Sequence, residues 1–301
     1  MVTQGFINTA DDALLAAVQN TVIESGRYTE QHSKPMMGLI EEFNLAQGQR
    51  QLDIPKYNEF TATDVTAGSE LTEGQDIAPS IVSATVGRIA LKVIILDDLV
   101  DQYNEQVFQV AGRQAGDALG TKEDKDVIAL FAGFSTELGA DNKPLSLANA
   151  NGCVAYAMSG DTDNDGRRFG NLNQVFSVHH PNAIANLSSS LAVTAATYPV
   201  PSIKNWELLE DYWSGFNISR VQFFEDGNIS KISGTDSSYG AIFSRQALAV
   251  LKGQARKPER HRLPALFATE IIWSERYGVF EVDDSKGAKT RYESGALSTS
   301  A

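Results

Sequence analysis

The stretch DDLVDQYNEQVFQVAGRQAGDALGTKEDKDVIALFAGF, residues 97–134, decides how the rest of the chain can be arranged. Small or apolar residues recur in it every three or four positions, a spacing that predicts one long amphipathic helix. Asp97, Asp98 and Asp101 crowd the amino end, where the helix dipole favours negative charge, and Gly133 can end the helix. At about 1.5 Å per residue such a helix is roughly 50 Å long, well above the ordinary length. We expect other elements to pack against it.

Three glycines, Gly112, Gly116 and Gly120, fall four apart and so share one stripe of this helix. Each glycine destabilises a helix interior by about 1 kcal/mol relative to alanine, so three glycines on one stripe indicate that the structure needs small or flexible residues there. Either another backbone approaches closely there or the helix bends. Arg113 and Asp117 make the segment too polar for a membrane-spanning dimer face.

The composition is that of a globular chain with a sizeable core, because 42% of its 301 residues are hydrophobic. The net charge of −13 argues against a surface that grips nucleic acid, since counterion release requires clustered Lys and Arg. The lone Cys153 excludes an intrachain disulfide and a cysteine-only metal site. The start lacks the basic segment of a secretory signal, and no apolar run approaches about 18 residues. The sequence therefore predicts a protein that acts in the cytoplasm and has no membrane partner.

The stretch between Tyr57 and Gly87 is acidic and contains no Lys or Arg. Its five acids are Glu59, Asp64, Glu70, Glu73 and Asp76. Both flanks are predicted as the strands of a hairpin, the first at Phe60–Thr63 and the second, rich in Val, Ile and Thr, from Ile81 to Leu96. A connecting loop of about a dozen residues or more is longer than usual and indicates a functional segment. We expect a projecting arm that a partner orders.

The remaining segments carry local predictions. Residues 9–25 are predicted as a short amphipathic helix, 172–190 as a strand and a helix opened by Pro181, 239–252 as a short strand and an amphipathic helix, and 271–294 as a strand pair that turns at 285–287. The aromatic residues between 206 and 224 are typical of a core.

The segment DTDNDG at 161–166 resembles the start of an EF-hand calcium loop, whose first ligands stand at positions one, three and five. The resemblance fails at the twelfth position, where Leu172 stands in place of the bidentate glutamate. A solvated acidic turn is favoured over bound calcium.

The sequence offers no constellation for catalysis or for a cofactor. It contains no GxSxG, HExxH or GxGxxG motif. His179 and His180 are adjacent, so on a strand their side chains point to opposite faces and do not share a metal. We therefore expect no enzymatic activity, no cofactor and no metal.

Two stretches resemble the major capsid proteins of tailed bacteriophages. The first is TEGQDIAPSIVSATVGRIALKVIILDDLVDQ at 72–102, in which Glu73-Gly74 near a loop tip is followed by a strand and by the acidic start of a helix. The second is YGAIFSRQALAVLK at 239–252, followed by basic residues and by ERYGVFEVDD at 275–284. Their order covers most of the chain.

The resemblance implies an α+β fold, the phage major capsid fold, in five parts. These are an N-terminal arm and lead-in at 1–54, an extended β-hairpin loop and return strand at 55–96, a peripheral domain with a long spine helix at 97–171, an axial domain at 172–262, and closing strands of the peripheral domain with a tail at 263–301.

In function, the resemblance implies a structural subunit that self-assembles as hexamers and pentamers into an icosahedral shell around double-stranded viral DNA. It implies scaffold, portal and decoration proteins as partners, only weak contact with packaged DNA, assembly in the bacterial host cytoplasm, and a place in the virion. An encapsulin-like compartment shell is the alternative within the fold. A hydrolase with a dispersed site is the alternative outside it.

Charge asymmetry suggests which residues meet between subunits. The acids Glu70, Glu73 and Asp76 belong to a loop without bases, whereas the densest basic run of the chain holds Arg256, Lys257, Arg260 and Arg262. An uncompensated acidic loop repels its copies, so we expect it to lie on this basic run of a neighbour. The alternative is that both stretches are solvated faces, since exposed ion pairs contribute only about 0–1 kcal/mol.

Overall fold

In a computed structural model of the chain, the described residues are 35–46, 48–57, 60, 62–65, 74–77, 79–98, 106–159, 169, 174–197, 216–218 and 221–295. The helix predicted at 9–25, the acidic turn at 161–166 and the first part of the aromatic segment, 206–215, lie outside them.

Twelve strands and three α-helices make up the described part of the chain. The strands are β1 (Glu41–Asn44), β2 (Gln51–Tyr57), β3 (Pro79–Thr85), β4 (Gly87–Leu96), β5 (Glu137–Gly139), β6 (Val175–His179), β7 (Phe216–Ile218), β8 (Val221–Glu225), β9 (Ser237–Ser244), β10 (Leu248–Leu263), β11 (Ala268–Glu281) and β12 (Gly287–Glu293). The helices are α1 (Gln106–Ala129), α2 (Leu147–Met158) and α3 (Pro181–Thr197). Short 3-10 turns cover Met36–Gly38, Leu130–Gly133, Pro264–Leu266 and Asp284–Lys286.

The described strands form two sheets and a separate ribbon. One sheet has the order β1-β10-β11-β4, in which the long strands β10 and β11 are antiparallel. The second has six strands in the order β5-β12-β9-β6-β8-β7. The ribbon is the antiparallel pair of β2 and β3. Helices set beside largely antiparallel sheets make an α+β fold, which confirms the predicted class.

The long helix is confirmed over the part that the structure describes. The backbone is helical at residues 97–98, and α1 then covers Gln106–Ala129 before it tightens into the turn Leu130–Gly133. The helix therefore ends at the predicted glycine, while residues 99–105 lie outside the described part.

The glycine stripe of α1 faces protein, because Gly112, Gly116 and Gly120 are all buried. On the same stretch, Ala115 and Leu119 pack in a cluster with side chains of β4 and β11. This burial agrees with a close-packing face, the first of the two interpretations that the sequence left open.

The six-stranded sheet is covered on both faces. Buried residues of α2 and α3, including Val154 and Leu187, pack with Ile242 on one face. Phe131 and Phe134, at the end of the long helix, join Phe243 in the cluster on the other face. Two-sided burial explains why the residues of β9 are almost all buried, without the alternation of a strand that has one exposed face.

The prediction of a helix within 239–252 is wrong, because the chain forms β9, a turn at 245–247 and then β10. The run ALAVL suits a buried strand as well as a helix, and periodicity alone does not separate the two. Pairing decides between them. Residues from Ala249 to Lys252 lie between β1 and β11 and pair with a strand on each side.

The chain turns as predicted, at Asp284–Lys286, between the two last strands, but these strands do not pair with each other. β11 pairs with β10 and β4, whereas β12 pairs with β9 and β5. The predicted strand pair is therefore corrected to two strands in different sheets.

Segments on both sides of the predicted axial domain, 172–262, enter the six-stranded sheet, namely β5 and β12. β10 in turn crosses the predicted boundary at residue 262. The division of the chain into named domains stays a prediction.

A hairpin is present as the ribbon, in which Gln51 pairs with Thr85 and Tyr57 pairs with Pro79. Its first strand, however, is β2 and not the predicted segment Phe60–Thr63, whose described residues are not in a strand. Pairing with β3, which is distant in sequence, sets this position.

The return strand of the hairpin is divided at Val86, where the chain leaves the ribbon and enters the four-stranded sheet as β4. At this crossing a Cβ on Gly278 would lie 2.1 Å from the carbonyl oxygen of Thr85. Only glycine therefore fits β11 where the ribbon passes.

A single ion pair holds the ribbon at its other end. The Lys56 ammonium lies 2.5 Å from a carboxylate oxygen of Asp283, which also accepts hydrogen bonds from Ser285. Burial alone would raise the pKa of Asp283, but the hydrogen bonds from Lys56 and Ser285 lower it below its ordinary value. The ribbon is thus anchored along the end of β11.

Replacing Gly278 with alanine is expected to lower the free energy of unfolding by about 1–3 kcal/mol, because the new methyl group overlaps the ribbon backbone. Denaturant unfolding of the unassembled chain measures this change. Gly152→Ala is the matched control, since no atom lies within 4 Å of its added Cβ in α2. That control is expected to gain up to about 1 kcal/mol through helix propensity. A Gly278→Ala chain as stable as the control would contradict the close approach.

Candidate functional site

The basic run occupies the outer half of β10, which is an edge of the described sheet. β1 pairs with β10 only as far as Lys252, and from there one side of β10 faces none of the described strands. Pro258 lies on this edge strand, the place in a sheet to which proline is usually confined because it has no N–H to donate. Charged residues and proline on an exposed edge oppose strand pairing with another chain.

The Arg256 side chain forms ion pairs within its own subunit. Its Nε and Nη2 atoms lie 3.0 and 2.7 Å from Oε2 of Glu275 on β11, and Nη2 lies 3.8 Å from Oε1 of Glu123 on α1. The side chains of this cluster are largely buried. Arg256 therefore joins the long helix to the four-stranded sheet, and its predicted contact with a neighbouring loop stays a prediction.

Arg262 has a structural partner as well. Its guanidinium makes a two-pronged contact with the Asp97 carboxylate, with an Nη1 to Oδ1 distance of 2.5 Å, and it donates to Thr269 at 3.1 Å. Parallel hydrogen bonds of this kind fix orientation as well as charge. The acid that the sequence places at the helix start is thus tied to the end of β10.

Lys257 and Arg260 are the other two members of the predicted contact set. Lys257 pairs with Glu259 at 3.1 Å, and both side chains are 60% exposed. Arg260 is half-buried on the same strand. An exposed pair contributes only about 0–1 kcal/mol, so Lys257 can exchange its partner at little cost.

The acids of the predicted contact set do not meet the basic run within the part of the chain that the structure describes. Asp76 is exposed, whereas Glu70 and Glu73 lie outside the described residues. The pairing of these acids with the basic run stays a prediction.

Exposed apolar side chains are the surface feature that sequence reasoning missed. On the ribbon and its loop they are Tyr57, Phe60, Val65, Ile77 and Ile81. At the far end of the four-stranded sheet they are Ile94, Leu96, Leu266 and Phe267, which we call the apolar tip. A contiguous exposed apolar surface marks an interaction site.

The apolar tip is formed by the turn between β10 and β11 together with the end of β4. Phe267 is 72% exposed and has a left-handed backbone, with φ of 45°. Its carbonyl accepts a hydrogen bond from the Asp97 N–H at 2.9 Å, which holds the turn beside Leu96. The signal in the sequence was VIIL at 93–96, because an apolar run without alternation predicts a strand covered on both faces.

Three titratable side chains, those of His179, His180 and Cys153, pack in or beside the described core. His179 is fully buried, its ring lies 2.8 Å from the Ser177 hydroxyl, and burial lowers its pKa to about 3. His180 accepts a hydrogen bond from the Asn182 N–H at 3.1 Å. Burial raises the pKa of the Cys153 thiol. These residues are therefore neutral parts of the packing.

Among the described residues, no group of three or more His, Cys, Asp or Glu side chains is placed to hold a metal ion. None of the helices described is both long and apolar enough to cross a membrane.

Comparison of the sequence with models of protein families finds no match, and comparison with curated proteins finds none either. Solved structures do match. The capsid of Ralstonia phage GP4 has a TM-score of 0.66 at 10% identity, covering 87% of this chain and 88% of that chain. The capsid structure of cyanophage P-SCSP1u has a TM-score of 0.62 at 16% identity, covering 86% and 87%.

A third match is the holo-SrpI encapsulin complex of Synechococcus elongatus, with a TM-score of 0.59 at 11% identity and coverage of 90% of this chain and 92% of that chain. The chain therefore has the α+β fold of these shell structures. More particularly, it has the phage capsid fold that the sequence resemblance implied, and the encapsulin shares that fold.

Replacing Arg256 with alanine is expected to destabilise even the unassembled subunit, because the Glu275 carboxylate is then buried without its cation. Removing one partner of a buried pair costs about 3–5 kcal/mol, and denaturant unfolding of the purified chain measures it. Lys257→Ala is the control on the same strand, with an expected change of about 0–1 kcal/mol. Equally small changes in both variants would contradict the role of Arg256 inside the subunit.

Proposed function

We propose that this chain is a major capsid subunit, which assembles as hexamers and pentamers into an icosahedral shell around double-stranded viral DNA. The observation that carries the proposal is the phage capsid fold, matched over 86–87% of the chain by capsid structures of two phages. The subunit acts as a structural protein rather than an enzyme. Its place is the virion, after assembly in the cytoplasm of a bacterial host.

The exposed apolar residues support self-association. A two-stranded ribbon is at best marginally stable alone in water, and this one carries Tyr57 and Ile81 at 60% and 65% exposure. The apolar tip lies on the other sheet. Two separate apolar surfaces let one chain contact more than one neighbour, which a closed shell requires.

The charge of the chain supports a container that does not hold its contents tightly. A net charge of −13 repels the phosphate backbone, so packaged DNA is expected to make only weak contacts with the shell. Portal, scaffold and decoration proteins are the further partners of such a subunit.

An encapsulin-like compartment shell is the second candidate, because the encapsulin complex matches with a similar TM-score of 0.59. Its contents distinguish the two candidates, since a capsid encloses nucleic acid and a compartment encloses protein cargo.

Electron microscopy of the purified full-length chain, with light scattering at high concentration, tests the proposal. Uniform closed shells are expected, and nuclease-protected DNA inside shells from the native source favours the capsid. Shells that contain protein cargo favour the compartment. A 32.6 kDa species alone, at every concentration, would overturn both candidates.

Replacing Phe267 with asparagine is expected to reduce shell yield, because it removes the most exposed apolar side chain of the apolar tip. Asparagine tolerates the left-handed backbone of this position, so the unfolding midpoint of the free subunit should stay unchanged or rise. Met158→Ser at the end of α2 is the control for loss of an exposed apolar side chain elsewhere. Normal yield from Phe267→Asn would remove the tip from the assembly contacts.

Reversing the loop charges with Glu70→Lys and Glu73→Lys is expected to lower shell yield at low salt, where surface charges are least screened. The compensating changes are Lys257→Glu and Arg260→Glu, which should restore yield. Arg256 and Arg262 are left unchanged because their ion pairs with Glu275 and Asp97 join elements of the fold, whereas the pair of Lys257 is fully at the surface.

Asp117→Lys, on an exposed position of α1, is the control for a change in net charge alone. The predicted pairing is wrong if the loop reversal leaves low-salt yield at the level of this control, or if the compensating pair fails to rescue it.

A further inference from the structure

Two buried carboxyl groups meet where the long helix joins the six-stranded sheet. Asp124 of α1 is fully buried, and Asp226, just after β8, is 4% exposed. Asp124 accepts hydrogen bonds from the Met36 N–H at 3.1 Å and from the Asn228 amide at 2.8 Å. One oxygen of Asp226 accepts from the Asn228 N–H at 2.8 Å, and the other oxygen has no partner.

The missing partner indicates a proton. An ionised carboxylate only accepts hydrogen bonds, so two buried carboxylates side by side repel each other and leave an oxygen unsatisfied. A protonated Asp226 instead donates to Asp124 and satisfies that oxygen. We propose that Asp124 and Asp226 share one proton and form a pH-sensitive clamp, which holds the long helix and the Met36–Gly38 turn on the six-stranded sheet.

The direction of titration agrees with this geometry. Burial, and next the hydrogen bond with Asp124, raise the pKa of Asp226 from 3.8 to about 7, against the opposing effect of Asn228. A folded-state pKa above the unfolded value means that the stabilisation is complete below the unfolded pKa of 3.8. It is lost as the pH rises through about 7. The clamp therefore holds in acid and loosens at alkaline pH.

Neighbouring charges do not neutralise the pair. Lys125 on α1 and Glu225 on β8 are exposed, and Lys231 pairs with Asp236 at 3.2 Å. His179 of β6 contributes its backbone carbonyl, which accepts from the Asp226 N–H at 3.0 Å, and its ring is kept neutral because burial lowers its pKa to about 3. The Met36–Gly38 turn carries no charged side chain. Within the described residues, the two carboxyls form no ion pair.

A proton fits this site better than a metal ion. Both oxygens of Asp124 already accept hydrogen bonds from protein donors. The described residues supply no third acidic, histidine or cysteine ligand. Because the clamp lies inside one chain, it does not depend on shell assembly.

The test is thermal unfolding of the full-length chain between about pH 5 and pH 8. The wild-type midpoint should fall with rising pH relative to that of Asp226→Asn, because one additional proton bound in the folded state changes the unfolding equilibrium by up to about tenfold per pH unit. Buried His179, whose pKa is lowered to about 3, favours folding as the pH rises towards its ordinary value of 6.5, but it does so equally in both chains. Asp226→Asn mimics the protonated group and should lose this slope. Asp117→Asn, an exposed acid on the same helix, should keep the wild-type slope.

A second measurement uses the wild-type chain alone and decides the matter if Asp226→Asn does not fold. Hydrogen exchange, corrected for its intrinsic pH dependence, should show weaker protection of residues 35–40 and 226–229 at pH 8 than at pH 6. Unchanged protection, or a wild-type slope in Asp226→Asn, would overturn the clamp. Recovery of the alkaline midpoint on addition of calcium chloride would also overturn it, since a cation would then occupy the pair.

Discussion

The end of the long helix makes the contact on which both sheets depend. Phe131 and Phe134 are fully buried there, and the ring of Phe131 lies 5.7 Å from that of Phe243 in the centre of the six-stranded sheet. A Cβ on Gly287 would lie 2.1 Å from the ring of Phe134, so the start of β12 passes directly over it. The Tyr277 hydroxyl donates to Asp126 at 2.6 Å and ties the four-stranded sheet to the same helix.

Three acidic residues near the end of this helix each contact a different part of the chain. Glu123 lies near Arg256 of β10, Asp124 accepts from Met36 and Asn228, and Asp126 accepts from Tyr277. Burial and the nearby Asp126 carboxylate raise the pKa of Tyr277 well above its ordinary value, which keeps the phenol a hydrogen-bond donor. From the sequence, the polar stretch around Lys122 is a gap in the apolar face. In the structure it is where buried polar contacts specify how the helix meets each sheet.

A structural feature could be predicted from the sequence when the interactions that produce it lie within one segment of the chain. The helix and its end at Gly133 depend on spacing within one segment, and both were predictable. The return strand of the hairpin was predictable for the same reason, but its first strand is set by pairing with β3 and was placed too late in the sequence. The identity of β10 depends on β1 and β11, which lie far away in sequence, and so the run ALAVL remained ambiguous. The basic run was visible as charge, but the carboxylates that hold Arg256 and Arg262 are at positions 275 and 97. Nothing in the local pattern identifies such partners.

Buried apolar side chains stabilise the fold of the single chain, whereas the exposed ones are available for contacts between chains. The cores around α2, α3 and the end of α1 are closed, with side chains such as Leu187 and Leu248 almost fully buried. The ribbon and the apolar tip, in contrast, expose large apolar side chains that the described part of the chain leaves uncovered. The apolar tip is tied to the subunit by the pair of Arg262 with Asp97, and the ribbon is tied to it at Gly278 and by the pair of Lys56 with Asp283, so contacts within the chain already orient both surfaces. A preorganised surface loses less entropy on binding, which favours repeated, identical contacts between copies of one chain.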